Sequence, residues 1–309
     1  AMLSKHVPNM IVSSADLCNS DKTDGFLAYT TEISRTNFAG GFFQAGVSEL
    51  SMACICIGMM LHGGIITAMG TFFVFSDYMK PAIRMAALME IPVKFIWSHD
   101  AFRVGEDGPT HEPVEQEAQI RLMEKLKNHH GKDSVRVLRP CDNQENTQCW
   151  KMAMENTDTP TALIFSRQDV RDLPAGTDYT QAQKGAFEVI KEAHPDVILV
   201  ANGSEVGTLC DTQQLLQKEG IKARVVSCPS EGLFRRQSKE YQDTLLPKNV
   251  KTFALTAGLP VTMEGLVGLQ GRIHGLSSFG FSAPYKVLDE KLGFTPEHIY
   301  KEIVDFVKN

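Results

Sequence analysis

Short runs of apolar and β-branched residues alternate along the chain with longer segments in which apolar positions recur at helical spacing. This alternation is typical of a parallel sheet covered by helices, because a crossover helix must follow each strand before the next parallel strand begins. In the first half, the pattern predicts strands over 10–13, 65–71, 93–98, 135–138 and 162–166, and helices over 48–61, 73–90, 113–126 and 143–156.

The alternation stops once and then resumes. The segment 171–187 contains Pro174 and Gly176 and has no apolar period, which predicts a linker between two domains. Beyond it, strands are predicted over 197–200, 223–227 and 252–256, and helices over 205–219 and 296–307. We therefore predict an α/β fold of two successive domains, 1–170 and 188–309, each a mostly parallel sheet covered by helices.

The helix predicted over 48–61 is apolar on almost every face. Its apolar residues are Leu50, Met52, Ala53, Ile55, Ile57, Met59, Met60 and Leu61. A helix covered by its own domain alone normally keeps a polar stripe. This helix therefore predicts self-association through the first domain, with a central core helix as the alternative.

Composition excludes several classes of function. A chain of 309 residues with 43% hydrophobic and 22% charged residues is typical of globular proteins, and its net charge of −6 gives no electrostatic case for nucleic acid. The most apolar window, 52–69, is interrupted by Gly58, His62, Gly63 and Gly64, so we interpret it as core and not as a membrane span. Seven cysteines without a CxxC pair predict reduced, buried thiols in a cytoplasmic protein.

The densest polar stretch runs from His99 to Pro113 and follows the predicted strand 93–98. Ligands bind at the carboxyl ends of strands in open α/β sheets, which makes this stretch a candidate site. Its two histidines do not have the spacing of zinc ligands. On composition alone, an ordinary surface loop is an equally good interpretation.

The order of residues in this stretch resembles the signature loop of transketolases. The matching segments are His99-Asp100, Gly105-Glu106-Asp107-Gly108-Pro109-Thr110-His111-Glu112-Pro113, Ser14-Ala15-Asp16-Leu17, Gly46-Val47-Ser48-Glu49, Leu61-His62-Gly63-Gly64, Gly70-Thr71-Phe72-Phe73-Val74-Phe75, Ser166-Arg167-Gln168 and Phe279-Gly280-Phe281-Ser282-Ala283-Pro284. The resemblance extends over nearly the whole chain.

The resemblance implies thiamine diphosphate as cofactor. Glu49 matches the carboxyl group that is hydrogen-bonded to N1′ of the cofactor pyrimidine, where proton sharing activates the ring. Phe72 matches the residue that stacks on that ring, with Phe75 and Tyr78 as further walls and Asp16 as a cofactor-side residue. Taken alone, two phenylalanines three apart are more often core, and a glutamate that begins a helix is favoured by the helix dipole.

The resemblance also implies sugar phosphates as substrates. His111 matches the catalytic histidine that faces the ketose C1 hydroxyl and the cofactor amino group, and Asp107 matches a carboxylate that reads a substrate hydroxyl. The phosphate end would contact His99, Arg167 and Ser20, with arginine able to form two hydrogen bonds to phosphate oxygens.

Several departures from the family pattern stand out. Gln44 replaces a frequent histidine, and Asn19 replaces the proline common before Ser20. The helix that supplies a phosphate-binding arginine and the Gly-Asp-Gly…Asn motif that holds Mg²⁺ and diphosphate have no match. We therefore expect no metal ligand here, and we expect a truncated chain or a split-gene subunit that needs a diphosphate-binding domain or N-terminal subunit as partner.

The predicted activity is transfer of a two-carbon ketol unit between sugar phosphates, absent from this chain alone. A 1-deoxyxylulose-5-phosphate synthase is a first alternative, although it usually has Asp-Arg in place of His99-Asp100. A 2-oxo acid dehydrogenase β subunit has a similar length and the same two domains but lacks the loop. A catalytically silent interaction module is the non-enzymatic alternative. The second domain shows no catalytic constellation.

Overall fold

The computed structural model describes all residues from Ala1 to Asn309. Its first sheet has six strands in the order β2-β1-β3-β4-β6-β5, and every neighbouring pair is parallel. The strands are β1 (Met10–Ser14), β2 (Phe42–Gln44), β3 (Ile66–Phe72), β4 (Lys94–Ser98), β5 (Arg136–Leu138) and β6 (Thr161–Phe165). The helices of this part are α1 (Met2–His6), α2 (Cys18–Asp21), α3 (Glu49–His62), α4 (Ser76–Leu88), α5 (Gln116–Lys125) and α6 (Asn143–Glu155).

The second sheet has five strands in the order β11-β10-β8-β9-β7, and only β7 runs antiparallel, to β9. The strands are β7 (Phe187–Ile190), β8 (Val197–Ala201), β9 (Ala223–Ser227), β10 (Lys251–Leu255) and β11 (Arg272–His274). The helices are α7 (Glu205–Lys218), α8 (Glu231–Arg235), α9 (Lys239–Leu245), α10 (Glu264–Val267), α11 (Tyr285–Leu292) and α12 (Pro296–Lys308). The predicted fold class, two mostly parallel sheets covered by helices, is confirmed.

The predicted elements are present with small shifts at their ends. Of the short edge strands, β5 was predicted over 135–138, whereas β2, β7 and β11 were missed, because a run of three or four residues seldom shows a period. The helix predicted over 73–90 was wrong at its start: Phe73–Phe75 form a 3-10 turn, and α4 begins at Ser76.

Helix α3 buries one face and exposes the other. Met52 and Cys56 are fully buried against the sheet, whereas Leu50, Ile55 and Leu61 are 44%, 42% and 51% exposed. The alternative prediction, that α3 is a central core helix, was therefore wrong, because apolar side chains on one face of α3 are not covered by the chain itself. The prediction that the cysteines are buried was wrong for two of them: all seven are free, but Cys54 on α3 is exposed and Cys18 on α2 is half-buried.

Buried charges join the two sheets. The guanidinium group of Arg139 is 2.6 Å from Asp100 Oδ2, 2.7 Å from Glu205 Oε2 and 3.4 Å from Glu117 Oε2. Arg103 likewise lies 2.7 Å from Glu205 Oε1. Because charges this deeply buried are tolerated only when paired, these contacts fix how the two halves sit against each other. No helix of the structure combines the length and apolarity needed to cross a bilayer.

Candidate functional site

The predicted site residues follow the carboxyl ends of neighbouring parallel strands. Ser14 of β1 lies opposite Gln44 of β2 and Gly70 of β3, and Ser98 of β4 lies opposite Phe72 of β3 and Phe165 of β6. These ends share one edge of the sheet, where open α/β folds bind ligands. The residues placed there are Asp16 and Ser20 after β1, Glu49 after β2, Phe72, Phe75 and Tyr78 after β3, His99, Asp107 and His111 after β4, and Arg167 after β6.

Five of these side chains form one aromatic cluster. The ring centroids of Phe72 and His99 are 3.8 Å apart in a stacked arrangement. Phe75 lies 6.1 Å from Phe72 with nearly parallel rings, 5.5 Å from His111 edge-on and 6.1 Å from Tyr78. Phe72 is buried and Tyr78 is 62% exposed, so the cluster extends from the sheet edge to the surface.

Two predicted site residues have strained backbones. Asp16 has a φ of 64° and His99 a φ of 63°, the left-handed region that residues other than glycine rarely adopt. Each is placed within two residues of the end of a strand, where the chain turns sharply away from the sheet. Such outliers concentrate at ligand sites, where the surrounding structure holds them in place.

His99 is neutral at physiological pH. Burial lowers the pKa of its imidazole to about 4, and the positive charge of Arg167 acts in the same direction. Its Nδ1 lies 3.0 Å from the hydroxyl of Ser98. His99 can therefore contribute a hydrogen bond to an anionic ligand but not a charge, which leaves the charge to Arg167.

His111 is held by a tightly turned loop. Gly105 and Gly108 have φ values of 87° and 73°, and the amide of His111 donates to Gly108 O over 2.9 Å. Its Nδ1 is 2.8 Å from the hydroxyl of Thr110. The imidazole is half-buried and Asp107 is exposed, so both remain accessible to a ligand at the sheet edge.

Glu49 is the first residue of α3 and is only 8% exposed. Its carboxylate makes no hydrogen bond and no ion pair within the chain, although the helix N-terminus favours a negative charge. The preceding Ser48 does not cap the helix, because its hydroxyl donates to Ala45 O over 2.7 Å. The Glu49 carboxylate is thus a largely buried group with hydrogen-bonding capacity left over.

Ser20 and Arg167 share a cavity of about 850 Å³ beside the aromatic cluster. Ser98, the partner of His99, also lines this cavity, and Met2 and Leu3 of α1 form part of its wall. Two of the three predicted phosphate contacts, Ser20 and Arg167, therefore line one space, and the third, His99, contacts Ser98 of its wall. Because Ser20 and Arg167 are exposed, their side chains are free to approach a ligand there.

Asp21 is a buried carboxylate that sequence reasoning missed. It accepts hydrogen bonds from Ser14 Oγ at 2.7 Å and from Thr23 N and Oγ1 at 2.9 and 2.6 Å. Burial raises its pKa above the usual range of an aspartate. A Cβ at Gly70 would lie 2.7 Å from Asp21 Oδ2, so this glycine makes room for the side chain. Asp21 therefore anchors the loop that carries Asp16 and Ser20.

The second half of the chain supports the loop that carries His111. The hydroxyl of Ser282 donates to Glu106 O over 2.5 Å, and a Cβ at Gly280 would lie 1.9 Å from Glu112 Oε2. Burial raises the pKa of Glu112 to about 7, and the nearby amide of Phe281 offsets part of this increase. Neither carboxyl oxygen of Glu112 has a hydrogen-bond partner of good geometry. Both segments match the family motifs, but sequence alone does not reveal that they touch.

The chain matches the sequence profiles of two domains. Residues 1–172 match the family described as the transketolase pyrimidine binding domain, and residues 185–295 match the transketolase-like C-terminal domain. The transketolase of Halalkalibacterium halodurans is 41% identical over 310 residues, which cover 99% of this chain and 45% of that protein. The transketolase of Bacillus subtilis is 40% identical over 306 residues, with 97% and 44% covered. The chain thus spans somewhat less than half the length of these relatives.

Solved structures show the same relationship. A Pichia stipitis transketolase in complex with sedoheptulose 7-phosphate superposes with a TM-score of 0.90 at 31% identity, covering 99% of this chain and 44% of that one. A split-gene transketolase described as an inactive β4 tetramer has a TM-score of 0.76 at 21% identity, covering 99% of this chain and 95% of that one. At 21% identity, the similarity to the split-gene protein shows a shared fold and nothing further.

Proposed function

The chain belongs to the transketolase family, and on that premise we propose that it supplies the pyrimidine-binding half of a thiamine diphosphate site in an enzyme that transfers a two-carbon ketol unit between sugar phosphates. The observation that carries the proposal is the convergence of the aromatic cluster, the unbonded Glu49 carboxylate and His111 at one sheet edge. The seven free cysteines fit a cytoplasmic location, which is part of this proposal.

The residues present fit an aminopyrimidine ring. Phe72 and Phe75 have nearly parallel rings in the aromatic cluster, and Glu49 has a carboxylate with no partner in the chain. When bound, thiamine diphosphate supplies a nucleophilic thiazolium carbon and an electron sink for cleaving a bond beside a carbonyl. In this proposal Glu49 holds the proton at pyrimidine N1′, while Phe72, Phe75, Tyr78 and Asp16 fix the ring and exclude water from it.

The remaining site residues would handle the sugar phosphate. In this proposal His111, which contacts Thr110, exchanges a proton with a substrate hydroxyl, and Asp107 accepts a hydrogen bond from another. Arg167 would supply the charge for the phosphate group, with Ser20 and the neutral His99 adding single hydrogen bonds. The sugar phosphate bound to the Pichia stipitis relative supports this class of substrate.

A partner would complete the site. The chain covers about 45% of the Halalkalibacterium halodurans relative, and the Gly-Asp-Gly…Asn motif does not occur in these 309 residues. We infer that a diphosphate-binding domain or N-terminal subunit holds Mg²⁺ and the diphosphate group. We also infer a homodimer through the first domain, supported by the exposed apolar face of α3.

The test is complementation. The purified chain is mixed with the diphosphate-binding domain of the Halalkalibacterium halodurans relative, and ketol transfer from a ketose phosphate to an aldose phosphate is followed with thiamine diphosphate and Mg²⁺ present. We expect no turnover from either polypeptide alone and turnover from the mixture. Transfer by the 309-residue chain alone would contradict the need for a partner. Calorimetric binding of thiamine diphosphate by the mixture, without turnover, would support the site and contradict the reaction.

A further inference from the structure

Three metal-ligating side chains meet in the second half of the chain, away from the sheet edge described above. His274 ends the edge strand β11, and His298 and Glu302 lie one helical turn apart on α12. One nitrogen of each imidazole and a carboxylate oxygen lie within 4.8 Å of one another. We propose that these three residues bind a divalent transition-metal ion, with Zn²⁺ the best match, and that the ion fastens the edge strand to α12.

The hydrogen bonds of His274 favour a cation at this position. Its Nε2 lies 3.1 Å from Leu292 O, and a carbonyl can only accept, so Nε2 carries the proton. Its Nδ1 faces Glu302 Oε1, 3.0 Å away, and is therefore the nitrogen that an ion between the two side chains would use. Histidine ligands of metals typically donate their other N–H to a carbonyl or carboxylate in this way.

The spacing suits a small coordination sphere. His298 Nε2 is 3.1 Å from the same Glu302 oxygen, so both imidazoles converge on one point. Tetrahedral zinc with bonds of about 2.0–2.1 Å places neighbouring ligand atoms roughly 3.3 Å apart. The two nitrogen-to-oxygen distances are already close to this value, and movement of the half-exposed His298 ring would bring the two imidazole nitrogens, which lie within 4.8 Å of each other, to the same spacing. Two imidazoles and one carboxylate favour Zn²⁺, Co²⁺ or Ni²⁺ over Mg²⁺ and Ca²⁺, which prefer oxygen ligands.

The surroundings leave room for both rings and access for an ion. A Cβ at Gly293 would lie 2.9 Å from His298 Nε2 and 3.1 Å from His274 Cε1, so this position requires a residue without a side chain. The ring of Phe294 packs edge-on against His274 at 4.8 Å. His298 is half exposed, which provides an entry path and a place for water as a fourth ligand. Arg272 is paired with Asp305 at 2.9 Å, which leaves the Glu302 carboxylate to the histidines.

Metal titration of the 309-residue chain tests the proposal. After chelator treatment and dialysis, Co²⁺ is added and the visible absorption of tetrahedral cobalt is followed, and Zn²⁺ and Mg²⁺ are then tested as competitors. We expect one Co²⁺ per chain, displacement by Zn²⁺ but not by Mg²⁺, and no thiolate-to-cobalt charge-transfer band. Zn²⁺ should also raise the melting temperature by a few degrees, because an ion that binds only the folded state stabilises it.

Variants separate the site from adventitious binding. His298→Gln and Glu302→Gln change solvent-accessible side chains, so both should fold, and each should weaken Co²⁺ binding by at least about tenfold. The matched control is His130→Gln, which removes another exposed histidine paired with a glutamate, Glu90. Its affinity should equal that of the unmodified chain. Absence of stoichiometric binding, binding unchanged in His298→Gln, or a spectrum with thiolate ligation would each overturn the proposal.

Discussion

The carboxyl group of Glu112 lies directly against Gly280, so closely that a Cβ on the glycine would sit 1.9 Å from Oε2. This contact joins the loop that carries His111 to the segment Phe279-Gly280-Phe281-Ser282, which belongs to the second half of the chain. The hydroxyl of Ser282 adds a hydrogen bond to Glu106 O. The second half of the chain therefore helps to shape the loop at the candidate site.

The contact makes stability depend on pH in a defined direction. Burial raises the pKa of Glu112 to about 7 in the folded chain, so the folded state favours the protonated form. Stability is then lost as pH rises from the unfolded value of 4.5 through 7. We expect Glu112→Gln, a neutral side chain of the same shape, to raise the melting temperature at pH 8 and to change it little at pH 5.

The control for this measurement is Glu106→Gln, because Glu106 is an exposed glutamate of the same loop. It should leave the melting temperature nearly unchanged at both pH values. An equal shift at pH 5 and pH 8 for Glu112→Gln would mean that packing, and not the charge, sets its effect.

Buried Arg139 gives a second prediction. Replacement by leucine leaves Asp100, Glu117 and Glu205 buried without their shared cation, which should lower the free energy of unfolding by about 3–5 kcal/mol. The control is Arg171→Leu, which removes an exposed pair with Asp211 and should cost less than about 1 kcal/mol. Urea unfolding followed by fluorescence measures both. Similar losses in the two variants would contradict a special role for the buried cluster.

The sequence predicts the features whose signal lies within one stretch of the chain, and it does not predict the contacts between distant stretches. A long amphipathic helix such as α12 carries its apolar period within itself, and the site residues follow strand ends that one parallel sheet brings to one edge. Contacts between distant segments have no such local signal. The Glu112–Gly280 contact and the Arg139 cluster depend on how the two sheets pack, which no single stretch of sequence encodes. For the same reason, the strained φ of Asp16 and His99 could not be anticipated.

The boundary between the domains remains a prediction. Between β6 and β7 the chain contains exposed residues, among them Arg171 and Gly176, followed by a 3-10 helix, Tyr179–Lys184, whose Tyr179 hydroxyl donates to Asp142 over 2.6 Å. We expect limited trypsin digestion to cut first after Arg171, whose side chain is 57% exposed, because exposed loops are cut most readily. Mass spectrometry of the early fragments identifies the site. Early cuts inside either sheet unit, with this segment intact, would contradict the boundary.

Glu49 tests the proposed chemistry. In the complemented enzyme, Glu49→Gln keeps the shape and the hydrogen-bonding reach of the side chain but cannot exchange a proton, so turnover should fall by at least about a hundredfold. The circular dichroism spectrum and the melting temperature should stay near those of the unmodified chain. Glu240→Gln on the distant helix α9 serves as the control and should retain full turnover. Near-normal turnover of Glu49→Gln would assign the proton transfer to another group.

The exposed face of α3 leads to the last prediction. Leu50, Ile55 and Leu61 are each between 42% and 51% exposed on one helix, and Val47 just before it is 79% exposed. Such a row of apolar side chains is costly in water, whereas a two-fold contact would bury the same face of both copies. We expect the chain to form dimers at micromolar concentrations in sedimentation experiments.

Ile55→Glu should shift this equilibrium to a 34.2 kDa monomer, because it places a charge in the middle of the contact. Leu122→Glu is the matched control, since Leu122 is a 67% exposed leucine on α5, and it should leave the dimer intact. If both variants and the unmodified chain sediment as monomers at tens of micromolar, α3 is not an interface of this chain alone. If both variants remain dimeric, the contact lies on another face, and the apolar row on α3 must then be covered by the partner that completes the site.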